Sequence, residues 1–523
     1  MNMIRDLPTP RLDMPEDEAQ RRFDQLQKKL VGMWRSMSAM TPDERTIVVL
    51  PSQTTDFDIK GAEVQAYEER FLFMLLLLRQ PRVRMIYLTS QTILPNTIDY
   101  YLGLMPGVVA SHARPRLFNV APEDRSPRPL TIKLLERPNL IRRIRSLIPD
   151  PDNAHLVPYN TTTLERDLAL RLGIPMYAAD PKFFPLGTKT GCRRLFAEEG
   201  VSFPIGRENL SSIGEVVDAI RDMRGDKPAL EEVMVKLNEG ISGEGNAVAN
   251  LRDLPPPGAA GEEMAVRERV EAMQLEYAGA TFESYVAKLA ETGGIVEERI
   301  FGEGFTSPSV QLRITPLGDV ELLSTHDQLL GGPTGQLYLG AQFPADPAYA
   351  CLISREAMKV GERLVTEGVL GRFAVDFVVV RRKDGIWEPY AIEVNLRKGG
   401  TTHPFLTLEY LTDGSYDADR SVFLAPSGRE KHFVASDHLE SPLFRTFTPD
   451  DLIDITVRHG LHFDQTRQTG AVFHMLATIA ENGRIGVTVI GDSRAEAEEL
   501  YQKIYDVLKS EAQEALQPAE IPG

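Results

Sequence analysis

Two strand-like segments around a turn constrain this chain more than any other feature. Val375-Asp-Phe-Val-Val-Val380 is apolar except for Asp376, Lys383-Asp-Gly385 has turn chemistry, and a second run extends from Trp387 to Val394. Runs of this kind around a glycine-bearing turn pair as an antiparallel hairpin. A carboxylate within an apolar strand is costly to bury unless it is paired or binds a metal. The second segment carries Glu393 and Asn395, and alternate strand residues share a face, so both project together with Asp376 able to stand opposite. Arg397 continues the same spacing. Three oxygen donors on one face suit Mg²⁺, which takes few protein ligands and fills its remaining positions with water and phosphate oxygens. The competing reading is the solvent face of an ordinary hairpin. The coincidence of Asp376, Glu393, Asn395 and Arg397 with the following Lys398-Gly-Gly400 favours a site.

The surrounding pattern is multidomain, as 523 residues exceed one ordinary core and imply two to four domains. Residues 1–40 read as a polar arm ending in one helix, with Leu26, Leu30, Val31 and Trp34 at helical spacing. From Thr46, strands (Thr46–Leu50, Val83–Leu88, Arg116–Val120, Ala154–Val157, Pro175–Ala178) alternate with helices (Glu63–Leu78, Asn96–Leu104, Leu130–Leu147, Leu164–Leu172), the signature of a mainly parallel α/β sheet. A helix over Gly187–Glu199 opens a second, mixed unit. It holds the strand Val233–Lys236, a loop Asn238–Gly245, the strand Gly294–Ile300, strands from Ser309 through Leu323, a helix Arg355–Glu367 and the hairpin. The tail after Ser415 reads as a separate small α+β unit: a helix Pro449–Arg458, strands Ala471–Ile479 and Gly483–Ile490, and a closing helix Ser493–Lys509.

Charge and composition exclude several classes. A net charge of −17 opposes an extended nucleic-acid footprint, although Ser111–Pro149 holds nine Lys or Arg against three acids, read as a solvated helix face. No apolar run reaches the ~18–20 residues of a membrane span, and Phe71–Leu78 reads as a buried helix end. The N-terminus lacks a signal-peptide pattern and Cys192 and Cys351 make no disulfide framework, so the cytoplasm is expected. Pro51-Ser-Gln-Thr-Thr55 stands where a dinucleotide fold would place its glycine fingerprint, and Gly240-Ile-Ser-Gly-Glu-Gly245 is not a P-loop sequence. His326 and His403 read as structural histidines, since phosphoryl chemistry gains more from positioning than from a dedicated base.

Asp376 followed by Glu393-x-Asn395-x-Arg397 resembles the metal-binding signature of the ATP-grasp superfamily, and Gly399-Gly-Thr-Thr-His-Pro-Phe405 resembles its pheganomycin-type peptide-ligase branch. The resemblance covers about 186–411 well. It implies an α/β and α+β multidomain chain: a pre-ATP-grasp α/β domain over 41–185, an ATP-grasp domain over 186–414 with subdomains at about 186–300 and 301–414, and a C-terminal α+β domain over 415–523. The implied reaction is carboxylate–amine ligation through an acyl phosphate, with ATP and Mg²⁺ (or Mn²⁺) as cofactors and amino acids or peptides as substrates, without nucleic-acid or membrane partners. Metal ligands would be Asp376, Glu393 and Asn395. Lys189 resembles the first phosphate-contacting lysine, and its place at a helix start independently favours an anion. Lys236 resembles the second; the glycine loop after it, with Ser242, Gly243 and Gly245, is suited to close backbone N–H groups on phosphate. Glu297-Glu298-Arg-Ile300 resembles the hinge whose main chain reads adenine, and Glu303 stands at the ribose-binding position. Arg397 and Arg313 are candidates for neutralising charge at the reacting phosphate. A phosphotransferase on the same site, or a non-catalytic nucleotide-binding module, remains the alternative.

Overall fold

The computed structural model describes residues 12–38, 44–54, 59–240, 243, 245–277 and 279–517. Its first sheet comprises β1 (Arg45–Leu50), β2 (Val83–Leu88), β3 (Leu117–Val120) and β4 (Ala154–Pro158), all parallel in the order β3-β2-β1-β4. Alternation along the strands explains the two covered faces. Ile47, Val49, Met85 and Tyr87 pack against the Phe71–Leu78 segment, whereas Val48, Leu50, Ile86 and Leu88 pack against Leu130–Ile144 and Leu164–Leu172.

Several predicted helices are interrupted. The N-terminal arm forms two helices, Glu16–Gln27 and Lys29–Ser38, rather than one. The Glu63–Leu78 segment is α-helical only to Glu69 and continues as a 3₁₀ stretch over Leu72–Arg79, where the buried run of apolar residues leaves no polar face. Leu130–Leu147 divides into Leu130–Leu135 and Pro138–Ser146, because proline disfavours helical geometry at the residue before it. The predicted strand at Pro175–Ala178 is reduced to a single parallel bridge between Leu156 and Met176.

A five-stranded antiparallel sheet follows, formed by β5 (Gly206–Leu210), β6 (Glu232–Leu237), β7 (Asn246–Asn250), β8 (Gln274–Leu275) and β9 (Gly294–Glu298) in the order β5-β9-β6-β7-β8. Helices Ile213–Asp226 and Glu262–Glu271 bury Val216, Ile220, Val266 and Val270 against it. The largest sheet contains β10 (Glu303–Thr306), β11 (Pro308–Ile314), β12 (Val320–Gly331), β13 (Leu337–Phe343), β14 (Gly371–Arg381) and β15 (Trp387–Asn395). The 21-residue helix Pro347–Glu367, capped by Asp346, covers β11 and β14 through Ile353, Ala357, Val360 and Leu364.

After a small hairpin of β16 (Ser415–Asp417) and β17 (Val422–Leu424), the tail adds β18 (His432–Glu440), β19 (Gly470–His474) and β20 (Arg484–Gly491) to this same sheet. β18 pairs with β13, with Gly340 opposite Ser436 and Phe343 opposite Phe433, so the tail's strands continue the hairpin's sheet. From sequence the tail reads as a separate unit because β13, after the glycine-rich 331–335 stretch, carries no clear strand signal of its own. Without it there is no visible edge for β18 to extend. The closing helix Arg494–Ala515 packs Ile504, Leu508 and Ala512 on Val487 and Val489.

Candidate active site

A cleft of about 440 Å³ opens between the five-stranded and nine-stranded sheets, within the range typical of small-molecule sites. The hairpin places its polar groups here. Asp376 on β14 stands opposite Glu393 on β15, and Ala374 opposite Asn395, with a register shift after Asp376. Asn395 Nδ2 donates to Asp376 Oδ2 at 2.9 Å, and Gln328 Nε2, from β12, donates to Oδ1 at 3.0 Å. Lys189 Nζ lies 2.5 Å from Glu393 Oε1. Desolvation and the facing Glu393 push the Asp376 carboxyl up to about 6. Desolvation also acts on Glu393, but Lys189, Arg397 and Lys236 outweigh it and hold that carboxyl below its ordinary range. Lys189 pairs directly with Glu393, so it is Asp376 that is left short of positive charge.

Local structure explains how the cations arrive. Thr188 caps the helix Lys189–Glu198 by accepting from Gly191 N–H, which sets Lys189 at its first turn. Thr190 N–H donates to Asn238 Oδ1 at 3.0 Å and so ties this helix to the start of the glycine loop. Lys236, near the end of β6, pairs at 2.5 Å with Glu297, which is 2% exposed and also takes Arg193 at 3.1 Å. The Glu297 carboxylate is therefore committed to holding two cations. Glu298 pairs with Lys227 at 2.5 Å. Gly243 (φ +87°) and Gly245 line the cleft, and a Cβ at Gly243 would lie 2.8 Å from Gln336 O. Asn246 Nδ2 donates to Gln336 Oε1 at 2.7 Å, so the start of β7 is tied to the 332–336 loop. Apolar lining comes from Met234, Ile300, Phe305, Leu330, Phe377 and Ile392.

Lys189, Lys236, Gly243, Gly245, Glu297, Glu298, Ile300, Asp376, Glu393, Asn395 and Arg397 all border this cleft. Ser242 lies outside the described residues. Two expectations require correction. Arg313 is on the correct strand face but at the far end of β11, where its Nε donates to Glu321 at 2.7 Å and its guanidinium lies over the Trp34 ring; it does not line the cleft. Glu303 is exposed on edge strand β10 opposite Arg381 and is likewise off the cleft wall.

Sequence reasoning missed Gln328, Arg70 and Tyr159 as cleft residues. Gln328 had a visible neighbour in His326 and Asp327, but Arg70 and Tyr159 come from the N-terminal sheet region and carry no local signal. His326 is structural: buried, donating or accepting with Ser324 Oγ at 2.7 Å, and packed among Phe343, Phe405 and Phe433. Much of the basic 111–149 stretch is consumed internally. Arg116 donates to the carbonyls of Leu78, Gln80 and Val83, Lys133 to Ser90 Oγ and two carbonyls, and Arg128 and Arg137 pair with Asp124. Cys192 is buried behind the hairpin, where desolvation pushes its thiol up to about 12.

A family model for the PGM1 C-terminal domain matches residues 451–504, and one for an IQCH-like ATP-grasp matches 276–419. The L-propargylglycine–L-glutamate ligase of Streptantibioticus cattleyicolor is 30% identical over 434 residues, spanning 81% of this chain and 86% of that one. IQ motif-containing protein H of Danio rerio is 24% identical over 422 residues, covering 72% of this chain and 39% of that protein. Among solved structures, biotin carboxylase from Campylobacter jejuni superposes with a TM-score of 0.52 at 12% identity over 91% of this chain and 96% of its own, which shows a shared fold. The chain belongs to the PGM1-related branch of the ATP-grasp ligases.

Proposed function

We propose that the protein joins the carboxylate of one amino-acid-like substrate to the amine of another through an acyl phosphate formed from ATP in the cleft. The observation that carries this reading is the convergence of Asp376, Glu393 and Asn395 with Lys189 and Lys236 on one cleft in a ligase family. The relative's name specifies two amino acids, which supports the substrate class.

The donor set fits a hard dication: the Asp376 and Glu393 carboxylates stand opposite each other, the Asn395 amide, whose nitrogen donates to Asp376 here, would turn its oxygen to the ion, and the raised Asp376 carboxyl is what such a charge would relieve. When bound, Mg²⁺ or Mn²⁺ supplies charge neutralisation at the phosphate oxygens. Lys189 and Lys236 bind the phosphates, and Arg397 offsets charge at the reacting end. Backbone over 297–300, with Met234, Leu330 and Ile392, receives the base. A carboxylate oxygen attacks the γ-phosphorus and ADP departs; the amine then attacks the acyl carbon, phosphate leaves, and the ammonium proton passes to solvent. Gly240, Gly243 and Gly245, which line the cleft, would bring backbone close to the phosphates and help keep water from the acyl phosphate. We place this reaction in the cytoplasm, where ATP is maintained; among the described residues no helix is long and apolar enough to cross a membrane.

Purified protein incubated with ATP, Mg²⁺ and amino acids in pairs tests the proposal. ADP and phosphate should form when acid and amine are both present, with a product of the condensed mass. A stable phosphorylated acceptor would instead establish phosphotransfer, and nucleotide binding without turnover on any pair would establish a binding module.

A further inference from the structure

Next to the cleft wall, three side chains from separate parts of the sequence converge on one point. His403 is the second residue of the helix Thr402–Thr412, Asp437 lies on β18, and His474 ends β19. All three are buried. His403 Nε2 is 3.0 Å from His474 Nε2, His474 Nε2 is 2.7 Å from Asp437 Oδ1, and His403 Nε2 is 3.5 Å from the same oxygen. A triangle with these edges has a circumradius of about 1.8 Å, so an ion about 1 Å off its plane stands ~2.0–2.1 Å from all three atoms, the distance zinc takes to imidazole nitrogen and carboxylate oxygen.

Hydrogen bonding alone serves the cluster poorly. Two neutral imidazole nitrogens facing each other share at most a single proton, and the same His474 nitrogen also faces Asp437. A cation at the centre engages all three lone pairs at once. The surroundings hold the donors in place. Asp437 Oδ2 accepts from Arg70 Nη1 at 2.8 Å, which fixes the carboxylate and leaves Oδ1 for the centre. Gly486 on β20 packs against the His474 ring, where a Cβ would collide with the imidazole.

We propose that His403, Asp437 and His474 bind a transition-metal dication such as zinc, in a site separate from the Asp376–Glu393 pair. Two imidazoles and a single carboxylate select this class over Mg²⁺ or Ca²⁺, which prefer oxygen donors. Three protein ligands leave a fourth position open. The ion links the helix after Gly399-Gly-Thr-Thr402 to the tail's strands and, through Asp437, to Arg70, which itself lines the cleft. It thereby ties the C-terminal strands to the catalytic wall.

Full-length protein, purified after growth with zinc and passed through a desalting column, is analysed for metal by plasma mass spectrometry. Wild type and D376N are expected to retain a single transition-metal ion per chain, whereas H403Q and H474Q lose it. Wild type depleted with a chelator and titrated with Co²⁺ should develop the visible absorption of a low-coordinate N/O site, and zinc should displace it. Metal-free wild type with no cobalt spectrum overturns the proposal, as do histidine variants that hold as much metal as wild type. If the histidine variants fail to fold, the cobalt titration of wild type decides the matter by itself. Loss of metal in D376N would assign the ion to the ATP cleft and overturn the separate site.

Discussion

Glu297 is the residue whose substitution most directly tests how the cleft is held together. Its carboxylate faces Lys236 at 2.5 Å and Arg193 at 3.1 Å, and the three side chains are 2–5% exposed. At an effective dielectric of ~20, each contact represents roughly 5–7 kcal/mol of gross attraction, most of it offset by desolvation. E297Q keeps the shape but leaves buried Lys236 without its ion-pair partner, while Arg193 retains Glu208 at 2.5 Å, and a loss of about 3–5 kcal/mol is expected. In a folding unit of ~150–250 residues that lowers the melting temperature by roughly 5–20 °C. Lys236 would also lose the partner that aims it into the cleft, so KM for ATP should rise. The adjacent E298Q is the control. Lys227 is 42% exposed, so that pair contributes no more than ~1 kcal/mol and the variant should melt within a few degrees of wild type. Thermal melts followed by circular dichroism, together with ATP titrations of initial rate, read both effects. Equal melting of E297Q and wild type with unchanged KM would refute the claim that this carboxylate organises the site.

D376N and E393Q should each lower ATP-dependent product formation by at least ~10²-fold while the far-ultraviolet spectrum stays native, since each removes a charge from the phosphate-binding face; activity near wild type would remove both from the reaction. Lys398 is buried against Pro158 O, and desolvation followed by Arg372 lowers its ammonium from 10.5 to about 7. The unfolded chain holds that proton up to about 10.5 and the folded chain only to about 7, so the penalty is complete below about 7 and is relieved across about 7 to 10.5. Stability should rise with pH across that window by up to ~5 kcal/mol from this group, and K398M should flatten the slope in urea titrations; an unchanged slope refutes the assignment. G243A forces a side chain onto a φ of +87° and against Gln336 O, so the loop should seat badly and ATP hydrolysis uncoupled from amide formation should increase; tight coupling in the variant would count against the loop's sealing role. R313A should leave kcat within about 2-fold and cost ~1 kcal/mol or less, because Arg313 serves Glu321 and Trp34 rather than the cleft; a large fall in kcat would restore it to the site.

The hairpin could be read from sequence because its information is local. Period-two alternation puts Glu393 and Asn395 on one face, and an acid amid Val375, Phe377 and Val378 demands a partner nearby. Glycine and threonine at the Lys189 helix start, and glycines after β6, are equally local signals of backbone geometry. Arg313 shows where such reasoning stops: it shares a face of β11 with Ser309, which stands opposite Asp376, but distance along the strand decides whether a side chain borders the cleft, and that depends on how β11 is staggered between β12 and β14.

By itself, the sequence determined most of the elements and the chemistry of the hairpin, because periodicity, turn residues and the cost of burying charge act over a few residues. Only the tertiary structure decided which distant groups meet it. Gln328 reaches Asp376 from two strands away, β13 offers β18 an edge, and Arg70 meets Asp437 across 367 residues of sequence. These encounters follow from sheet order and register, which are set by the summed burial of whole faces and leave no mark on the residues around each partner.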